Sequence, residues 1–210
     1  MLISAIMPTR ARPLFITAAL DCFISQTWYE KELVILDDSD CPSFATPPQI
    51  EGVRYYRMAQ RLAIGAKRNI CCSRAEGDVI CHWDDDDYSS PYRMEEQAER
   101  LIKTGAMVTG YHSMRFTDGA RWWQYAGSEK DYALGTSLMY RREYWEAHPF
   151  PADKNVGEDS DFIHPARQAG TIACGDADGF MWARNHSQNT DERKMGVLWR
   201  EISDGVRASV

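Results

Sequence analysis

Short apolar runs alternate with longer amphipathic stretches along the first half of the chain. Apolar residues recur at helical spacing in three segments, and each segment lies between runs short enough to be strands. The predicted strands are Ile3–Met7, Glu32–Leu36, Val53–Arg57 and Val79–Trp83, and the predicted helices are Pro13–Gln26, Ile64–Arg74 and Tyr92–Thr104. Strands that alternate with helices favour an α/β fold, with a mostly parallel central sheet flanked by helices.

The second half of the chain has a less regular pattern. It predicts strands at Met107–Phe116, Gly135–Tyr140, Thr171–Cys174 and Met181–Arg184, and helices at Arg141–His148, Asp159–Ala169 and Val197–Val206. No repeat, low-complexity stretch or linker interrupts the sequence. We therefore expect one domain over residues 1–210, a length at which a chain can bury a full core.

The overall charge of the chain excludes a global attraction to polyanions. The formal net charge is −7, so no basic field draws the chain to nucleic acid or to an anionic membrane. No apolar run reaches the roughly 18 residues of a membrane span, and the N-terminus lacks the basic start of a signal peptide. The six cysteines include no C-x-x-C pair, which argues against zinc or a disulfide framework and favours reduced thiols in the cytoplasm.

Polar and acidic residues follow three of the predicted strands. Pro8–Arg10 follows the first strand, Asp37-Asp38 the second, and Asp84–Asp87 the fourth. Because the carboxyl ends of parallel strands share one sheet edge, we expect these groups to form one ligand site. Two carboxylates ~6 Å apart repel by roughly 3 kcal/mol at an effective dielectric constant of ~20, and bound Mg²⁺ or Mn²⁺ would remove that repulsion. An acidic turn or helix-capping cluster before Pro91 is the alternative interpretation.

Four segments together resemble the motifs of family 2 glycosyltransferases. They are Pro8–Arg10, Asp37–Ser39, Gly65–Asn69 and Gly77–Asp87, in the family's order and spacing. The resemblance implies a GT-A (Rossmann-like) fold, with a nucleotide-binding half at residues 1–105 and an acceptor-binding and catalytic half at residues 106–210. It also implies an inverting transfer of a hexose from a nucleotide-sugar donor, most often a UDP-sugar, with Mn²⁺ or Mg²⁺ as cofactor.

The same resemblance assigns donor-binding and cation-binding roles in the first half. The implied donor-binding residues are Pro8, Thr9, Arg10, Asp38, Arg61, Lys67, Asp84 and Asp85. The turn at Pro8–Arg10 and Asp38 would hold the nucleoside, and Asp84 and Asp85 would face ribose and phosphate. Asp86, the last residue of the D-x-D element, would bind the cation. Arg61 and Lys67 are candidate partners of the base or the diphosphate, and each could equally be a solvated charge.

A later acidic segment resembles the family's catalytic element. In Val156–Phe162, Asp159 would act as the general base that an inverting displacement needs, and Glu158 would assist it or contact the acceptor. Acidic residues in the first turn of a helix also favour the helix dipole without any catalytic role. From the residues alone the two interpretations are equally good, and the resemblance favours catalysis.

The segment Arg184–Thr190 resembles the C-terminal element in which a histidine completes the metal site. His186 would then be the second cation ligand, whereas a lone histidine is otherwise more often structural or exposed. The polar stretch Asn189–Lys194 that follows is predicted to be a mobile flap that orders over the donor.

The acceptor is the least determined part of the prediction. Trp122 and Trp123 could stack on an acceptor ring or pack in the core, and Gly135 and Thr136 match the family segment that lines the acceptor cleft. The expected acceptor is a cell-surface glycan or a lipid-linked sugar. A hydroxymethylated pyrimidine of viral DNA is the alternative acceptor. Its basic rim would consist of Arg115, Arg121, Lys130, Arg141 and Arg142.

Two other classes of function compete with a glycosyltransferase. A sugar nucleotidyltransferase of the same fold has a glycine-rich phosphate loop near its N-terminus, and the segment Pro8–Pro13 contains no glycine. A non-catalytic nucleotide- or glycan-binding module would need no general base. The presence of Asp86, Asp159 and His186 together therefore argues against a binding module.

Overall fold

Four parallel strands form one half of the central sheet in the computed structural model, which describes residues 1–127, 129–187, 189 and 198–202. Their order across the sheet is β3 (Val53–Arg57), β2 (Lys31–Asp37), β1 (Ile3–Thr9) and β4 (Val79–His82). Because all four strands run in one direction, the polar residues that follow them gather at one edge. The predicted parallel sheet is confirmed.

The same sheet continues into the second half of the chain with mixed strand directions. Beyond β4 the order is β8 (Met139–Arg141), β6 (Val108–Thr117), β7 (Trp122–Ala126) and β11 (Trp199–Ile202), each antiparallel to its neighbour. Strands β9 (Ile172–Asp176) and β10 (Met181–Arg184) pair parallel with successive parts of β6, and β5 (Tyr88–Ser89) pairs with β10. One continuous sheet therefore joins the two halves.

Helices cover both faces of the parallel strands. The helices are α1 (Pro13–Ile24), α2 (Ile64–Arg74), α3 (Arg93–Thr104), α4 (Arg142–Ala147) and α5 (Glu158–Gln168). Alternate residues of β1 serve the two layers: Ala5 and Met7 pack with α1 and α3, and Ile6 packs with α2, α4 and α5. The result is a three-layer α/β/α core beneath the polar edge.

The strand predicted at Gly135–Tyr140 is wrong in its first half. Gly135–Ser137 form a 3₁₀ turn, and only Met139–Arg141 are a strand. The backbone N–H of Ser137 closes the turn by donating to the Leu134 carbonyl at 2.9 Å, and the backbone of Gly135 packs against the side chain of Asp159. An apolar pattern cannot signal this contact between segments distant in sequence.

The terminal helix predicted at Val197–Val206 is also wrong where the structure describes it. Trp199–Ile202 form β11, which pairs antiparallel with β7, and positions 197 and 203–206 lie outside the described residues. The indole of Trp199 packs on Phe116 and Tyr125, with ring centroids 4.5 and 5.2 Å apart. This packing on the sheet outweighs the local helical periodicity.

Candidate active site

A cavity of about 710 Å³ opens at the carboxyl-terminal edge of the parallel strands and reaches the start of α5. Most of the predicted site residues line it: Pro8, Arg10, Arg61, Lys67, Asp84, Asp85, Asp86, Gly135, Thr136, Glu158 and Asp159. Thr9, Asp38 and His186 lie behind this lining, and each is hydrogen-bonded to a residue in it. The cavity thus collects residues from both halves of the chain.

The loop Asp84–Asp87 is anchored from below by Trp83. The indole Nε1 of Trp83 donates to the carbonyl of Ala19 at 2.9 Å, and its ring meets Phe23 edge-on. Asp84 is half-buried and lines the cavity. Its carboxylate accepts no hydrogen bond from the described residues, so it is available to a ligand.

Arg12, which is not among the predicted site residues, neutralises Asp85 and Asp86. Its guanidinium lies 2.8 Å from Asp85 Oδ1 and 2.9 Å from Asp86 Oδ2, and the Thr9 hydroxyl donates to Asp85 at 2.5 Å. Burial lowers the pKa of Arg12, but Asp85 and Asp86 raise it further, so the guanidinium stays charged. The sequence does contain a sign of this role, because Arg12 stands at the N-terminus of a helix. Positive charge is unfavourable there unless nearby acidic groups compensate it.

The predicted cation ligands Asp86 and His186 are in contact. His186 Nε2 lies 2.9 Å from Asp86 Oδ2, and the imidazole stacks on Phe15 with a centroid distance of 4.7 Å. Asn189 Nδ2 lies 3.4 Å from the same oxygen. Of the predicted flap, only Asn189 lies within the described residues, and 190–194 lie outside them.

The donor atoms at this edge fit a divalent cation. Asp84, Asp86 and Asp87 each place a carboxylate oxygen within 4.8 Å of the others. Asp87, however, accepts hydrogen bonds from the Thr136 hydroxyl and from the backbone of Arg184, which orient it away from a ligand role. Asp84 and Asp86 remain as carboxylate ligands, which suit Mn²⁺ and Mg²⁺ alike, and the imidazole of His186 lies in contact with Asp86.

Asp38 and Lys67 contact each other at the nucleoside end of the cavity. Lys67 Nζ lies 2.9 Å from Asp38 Oδ1, and the backbone N–H of Leu62 donates to Asp38 Oδ2 at 2.8 Å. Both side chains are buried, so the ammonium of Lys67 serves Asp38. Arg10 donates to the Asp38 carbonyl at 2.5 Å. Arg61 is exposed, lines the cavity, and makes no ion pair or hydrogen bond with its side chain to any described residue.

The opposite end of the cavity is built on the first turn of α5. Gly157 precedes the helix in the left-handed region, with φ of 76°. Glu158 forms a buried ion pair with Arg68 of α2, which ties the two helices together. Burial raises the pKa of Glu158, with Arg68 opposing and Asp159 adding to the effect. Glu158 therefore lines the cavity while its carboxylate is paired with Arg68.

Asp159 points into the cavity against the Gly135–Ser137 turn. A Cβ atom placed on Gly135 would lie 1.8 Å from Asp159 Oδ2, so only glycine allows this approach. The next residue, Thr136, donates its hydroxyl to Asp87. Two adjacent residues of one turn therefore contact the acidic helix start and the aspartate loop, which fixes these two parts of the cavity relative to each other.

Four aromatic side chains form one wall of the cavity. They are Phe116, Tyr125, Tyr132 and Trp199. The predicted acceptor residues Trp122 and Trp123 lie outside the cavity lining: Trp122 meets Trp182 edge-on, and Trp123 is buried beneath Arg121. Trp122 and Trp123 lie on opposite faces of β7, and neither reaches the cavity. Tyr125, on the same strand, lines it.

The five cations considered as a rim for DNA do not gather at the cavity. Arg141 pairs with Val79 at the start of β4, and Arg142 donates to the Gly77 carbonyl, so both lie at the sheet edge opposite the aspartates. The other two arginines are neutralised locally, Arg115 by Asp178 and Arg121 by Asp118, and Lys130 is exposed.

Comparison with solved structures identifies the class of fold. S. aureus TarS 1–349 in complex with UDP-GlcNAc matches with a TM-score of 0.73 and 18% identity over 90% of this chain and 60% of that chain. The mannosyltransferase PcManGT from Pyrobaculum calidifontis, in complex with GDP-Man and Mn²⁺, matches with a TM-score of 0.66 and 14% identity over 90% of this chain and 58% of that chain. The fold is therefore the GT-A fold, and the chain spans about 60% of the length of these structures.

The sequence then places the protein within that class. The profile of Glycosyl transferase family 2 matches residues 4–163, and the chain belongs to this family. A search of curated proteins finds no match. Within the part of the chain that the structure describes, no helix has both the length and the apolar character to cross a membrane.

Proposed function

We propose that this protein is a cation-dependent, inverting glycosyltransferase that moves a hexosyl group from a UDP-sugar to a hydroxyl group of a glycan or a lipid-linked sugar. The observation that carries the proposal is the Gly135–Thr136 turn, which holds the aspartate loop and Asp159 at one cavity. Family membership supports the reaction class, and the TarS complexes with UDP-GlcNAc and UDP support the donor class.

At the donor end, most basic side chains are held by ion pairs or hydrogen bonds, and the side chain of Arg61 is available to a ligand. Pro8, Thr9 and Arg10 form the nucleoside wall, and Asp38 shapes it indirectly by holding Leu62 and Lys67. Arg61 is the candidate for direct contact with the diphosphate, because no described residue engages it. Asp84, Asp86 and His186 would hold Mn²⁺, which neutralises the charge of the leaving diphosphate when bound.

The acceptor end supplies the base. Asp159 takes the proton of the acceptor hydroxyl as that oxygen forms its bond to the anomeric carbon, and the bond from this carbon to the diphosphate oxygen breaks. The nucleoside diphosphate leaves with the electron pair of that bond. Because attack and departure occur on opposite faces of the sugar, the configuration at the anomeric carbon inverts.

A carbohydrate acceptor fits this cavity better than DNA. The wall beside Asp159 is aromatic, and aromatic faces stack on the apolar faces of sugar rings. DNA binding depends on cations that neutralise phosphates, and Arg141 and Arg142 lie at the far edge of the sheet. We therefore propose Tyr125 and Trp199 for the acceptor-stacking role, which was one of the two interpretations of Trp122 and Trp123.

The test is product analysis with defined donors and acceptors. The protein is incubated with Mn²⁺, a panel of UDP- and GDP-sugars, and either oligosaccharides, lipid-linked sugars or duplex DNA with hydroxymethylated pyrimidines. Mass spectrometry should detect a hexosylated carbohydrate and released nucleoside diphosphate, and NMR should report the inverted anomer. Absence of diphosphate release with every donor, or a reaction that depends on pyrophosphate, would contradict the proposal.

A matched pair of variants assigns the base. Asp159→Asn should lower the transfer rate by ~10²–10⁴-fold, the usual contribution of a general base, with little change in the KM for the donor. Asp161→Asn is the control, because Asp161 lies in the same helical turn but forms an exposed ion pair with Lys154. Equal activity in the two variants would remove Asp159 from the role.

A further inference from the structure

Buried side chains hold the Gly135–Ser137 turn at each of its three carbonyl groups. His82 Nδ1 donates to the first carbonyl at 2.7 Å, Arg93 Nη2 to the second at 3.2 Å, and Gln97 Nε2 to the third at 2.7 Å. The donors come from β4 and α3, which are rigid parts of the core. The turn cannot shift against the sheet without losing one of these bonds.

Arg93 also holds both ends of the aspartate loop. Its Nη2 donates to the carbonyl of His82 at 2.9 Å, and its Nη1 donates to Ser89 Oγ at 2.8 Å. These two residues flank Asp84–Asp87 on either side. The third nitrogen, Nε, donates to Gln97 Oε1 at 3.1 Å. This bond orients the Gln97 amide, whose nitrogen donates to the third carbonyl of the turn. One guanidinium therefore connects the start of the loop, its end and the turn.

The charge of Arg93 is unusual for a residue that only packs. The side chain is 1% exposed, lies 5.0 Å above the ring of Trp83, and makes no ion pair with any described carboxylate. Burying a charge without a counter-ion costs several kcal/mol, and a well-packed apolar residue of similar volume is often more stabilising. The rigid planar fork of arginine, with donors in three directions, is the property that an apolar residue could not replace.

We propose that Arg93 is a positioning residue that sets the separation between the aspartate loop and Asp159. The inference rests on the proposed function for its catalytic consequence, but not for its structural one. The turn contacts Asp159 through Gly135 and Asp87 through Thr136. Loss of Arg93 would release the loop and the turn together. The rest of α3 does not depend on these hydrogen bonds and would stay in place.

The main experiment replaces Arg93 by methionine, which keeps the volume and removes the charge and the donors. Hydrogen exchange should become faster in residues 83–90 and in residues 134–138, and both segments should change together. Mn²⁺ affinity, measured by calorimetry without donor, should fall by about 10-fold, as expected when groups that orient metal ligands are lost. The kcat should fall by about 100-fold, because a displacement of ~1 Å at the reacting groups has an effect of this size.

Arg142→Met is the matched control. Arg142 also donates to backbone carbonyls, those of Gly77 at 2.7 Å and Cys72 at 3.3 Å, but at the opposite sheet edge. It should lower the melting temperature without altering Mn²⁺ affinity or kcat per folded molecule. Arg93→Lys keeps the charge but offers donors from a single nitrogen, so Mn²⁺ affinity and kcat should recover only in part. If Arg93→Met does not fold, Gln97→Met removes the donor to the third carbonyl and should give smaller changes in the same direction.

The proposal is overturned if exchange in the two segments of the folded variant matches that of the wild type. It is also overturned if Mn²⁺ affinity and kcat fall no more in Arg93→Met than in Arg142→Met. Failure of the proposed function gives a different result: the wild-type protein then transfers no sugar, while exchange still reports whether Arg93 couples the loop to the turn.

Discussion

Replacing Gly135 by alanine tests the geometry of the active site without changing any charge. The new Cβ atom would lie 1.8 Å from Oδ2, 2.6 Å from Cγ and 2.9 Å from Cβ of Asp159. Contacts below 3.0 Å essentially never occur at a Cβ atom, so the carboxylate must retreat by about 1.2 Å. The overlap includes Asp159 Cβ, and a rotamer change alone therefore does not relieve it.

This displacement should act on the rate of the chemical step. A misplacement of ~1 Å lowers the rate by about 10²-fold, which corresponds to ~2.7 kcal/mol of transition-state stabilisation. We expect kcat to fall by that amount, with the KM for the donor and the Mn²⁺ affinity within about threefold of the wild type, because the donor end is untouched. Steady-state kinetics at saturating Mn²⁺ and a denaturation curve that fixes the folded fraction provide the measurement.

Two comparisons make the result decisive. Gly77→Ala is the control, because its Cβ would lie 2.6 Å from Leu2 O and Ser4 Oγ at the other edge of the sheet. It should cost a similar ~1–3 kcal/mol of stability from overpacking and leave kcat intact. In an Asp159→Asn background, Gly135→Ala should add little further loss. A kcat within threefold of the wild type in the folded single variant, or full additivity in the double variant, would refute the reasoning.

Three further predictions follow from the charges around the cavity. Arg12→Gln removes the guanidinium charge beside Asp85 and Asp86, so Mn²⁺ should raise the melting temperature more in this variant than in the wild type; an equal or smaller rise would contradict the assignment. Arg61→Ala should raise the KM for the donor by about 10-fold, the effect of a lost charged hydrogen bond, with kcat nearly unchanged, and an unchanged KM would exclude contact with the diphosphate. Burial raises the pKa of Asp37, but hydrogen bonds from neighbouring hydroxyl and backbone groups lower it more, and the net pKa is below its ordinary value. The stabilisation by this carboxylate is therefore complete above pH ~4, the pKa of an unfolded aspartate, and is lost as the pH falls through the lower native pKa. The stability difference between the wild type and Asp37→Asn, measured by urea denaturation, should accordingly be constant from pH 5 to 8 and shrink below pH ~4.

The sequence was most informative where local pattern and strand ends determine the structure. The bounds of β3, α2 and β10 agree with their predicted bounds, because their periodicity is local and strong. The placement of Asp84–Asp86 at the cavity follows from the direction of parallel strands alone. His186 was found only through the family resemblance, since 100 residues separate it from Asp86.

The interactions that orient the site were not predictable in the same way. Lys67 was predicted either as a partner of the base or diphosphate or as a solvated charge, and the pattern did not indicate that its ammonium would be buried in an ion pair with Asp38. Arg93 was not identified from the sequence, because an apolar pattern does not show that a guanidinium can be buried among neutral carbonyl groups. Strand β5 escaped prediction because two residues carry no periodic signal, and β7 escaped it because its aromatic residues were interpreted as stacking or core side chains rather than as a strand.

The position of β8 limits how this protein can move. Its backbone is hydrogen-bonded to β4 on one side and to β6 on the other, so the first and second halves of the chain share one sheet. Hinge closure of the two halves would have to break that sheet. Catalysis is therefore expected in a cleft of constant width, and small-angle scattering should give the same radius of gyration for the free protein and for its complex with UDP and Mn²⁺.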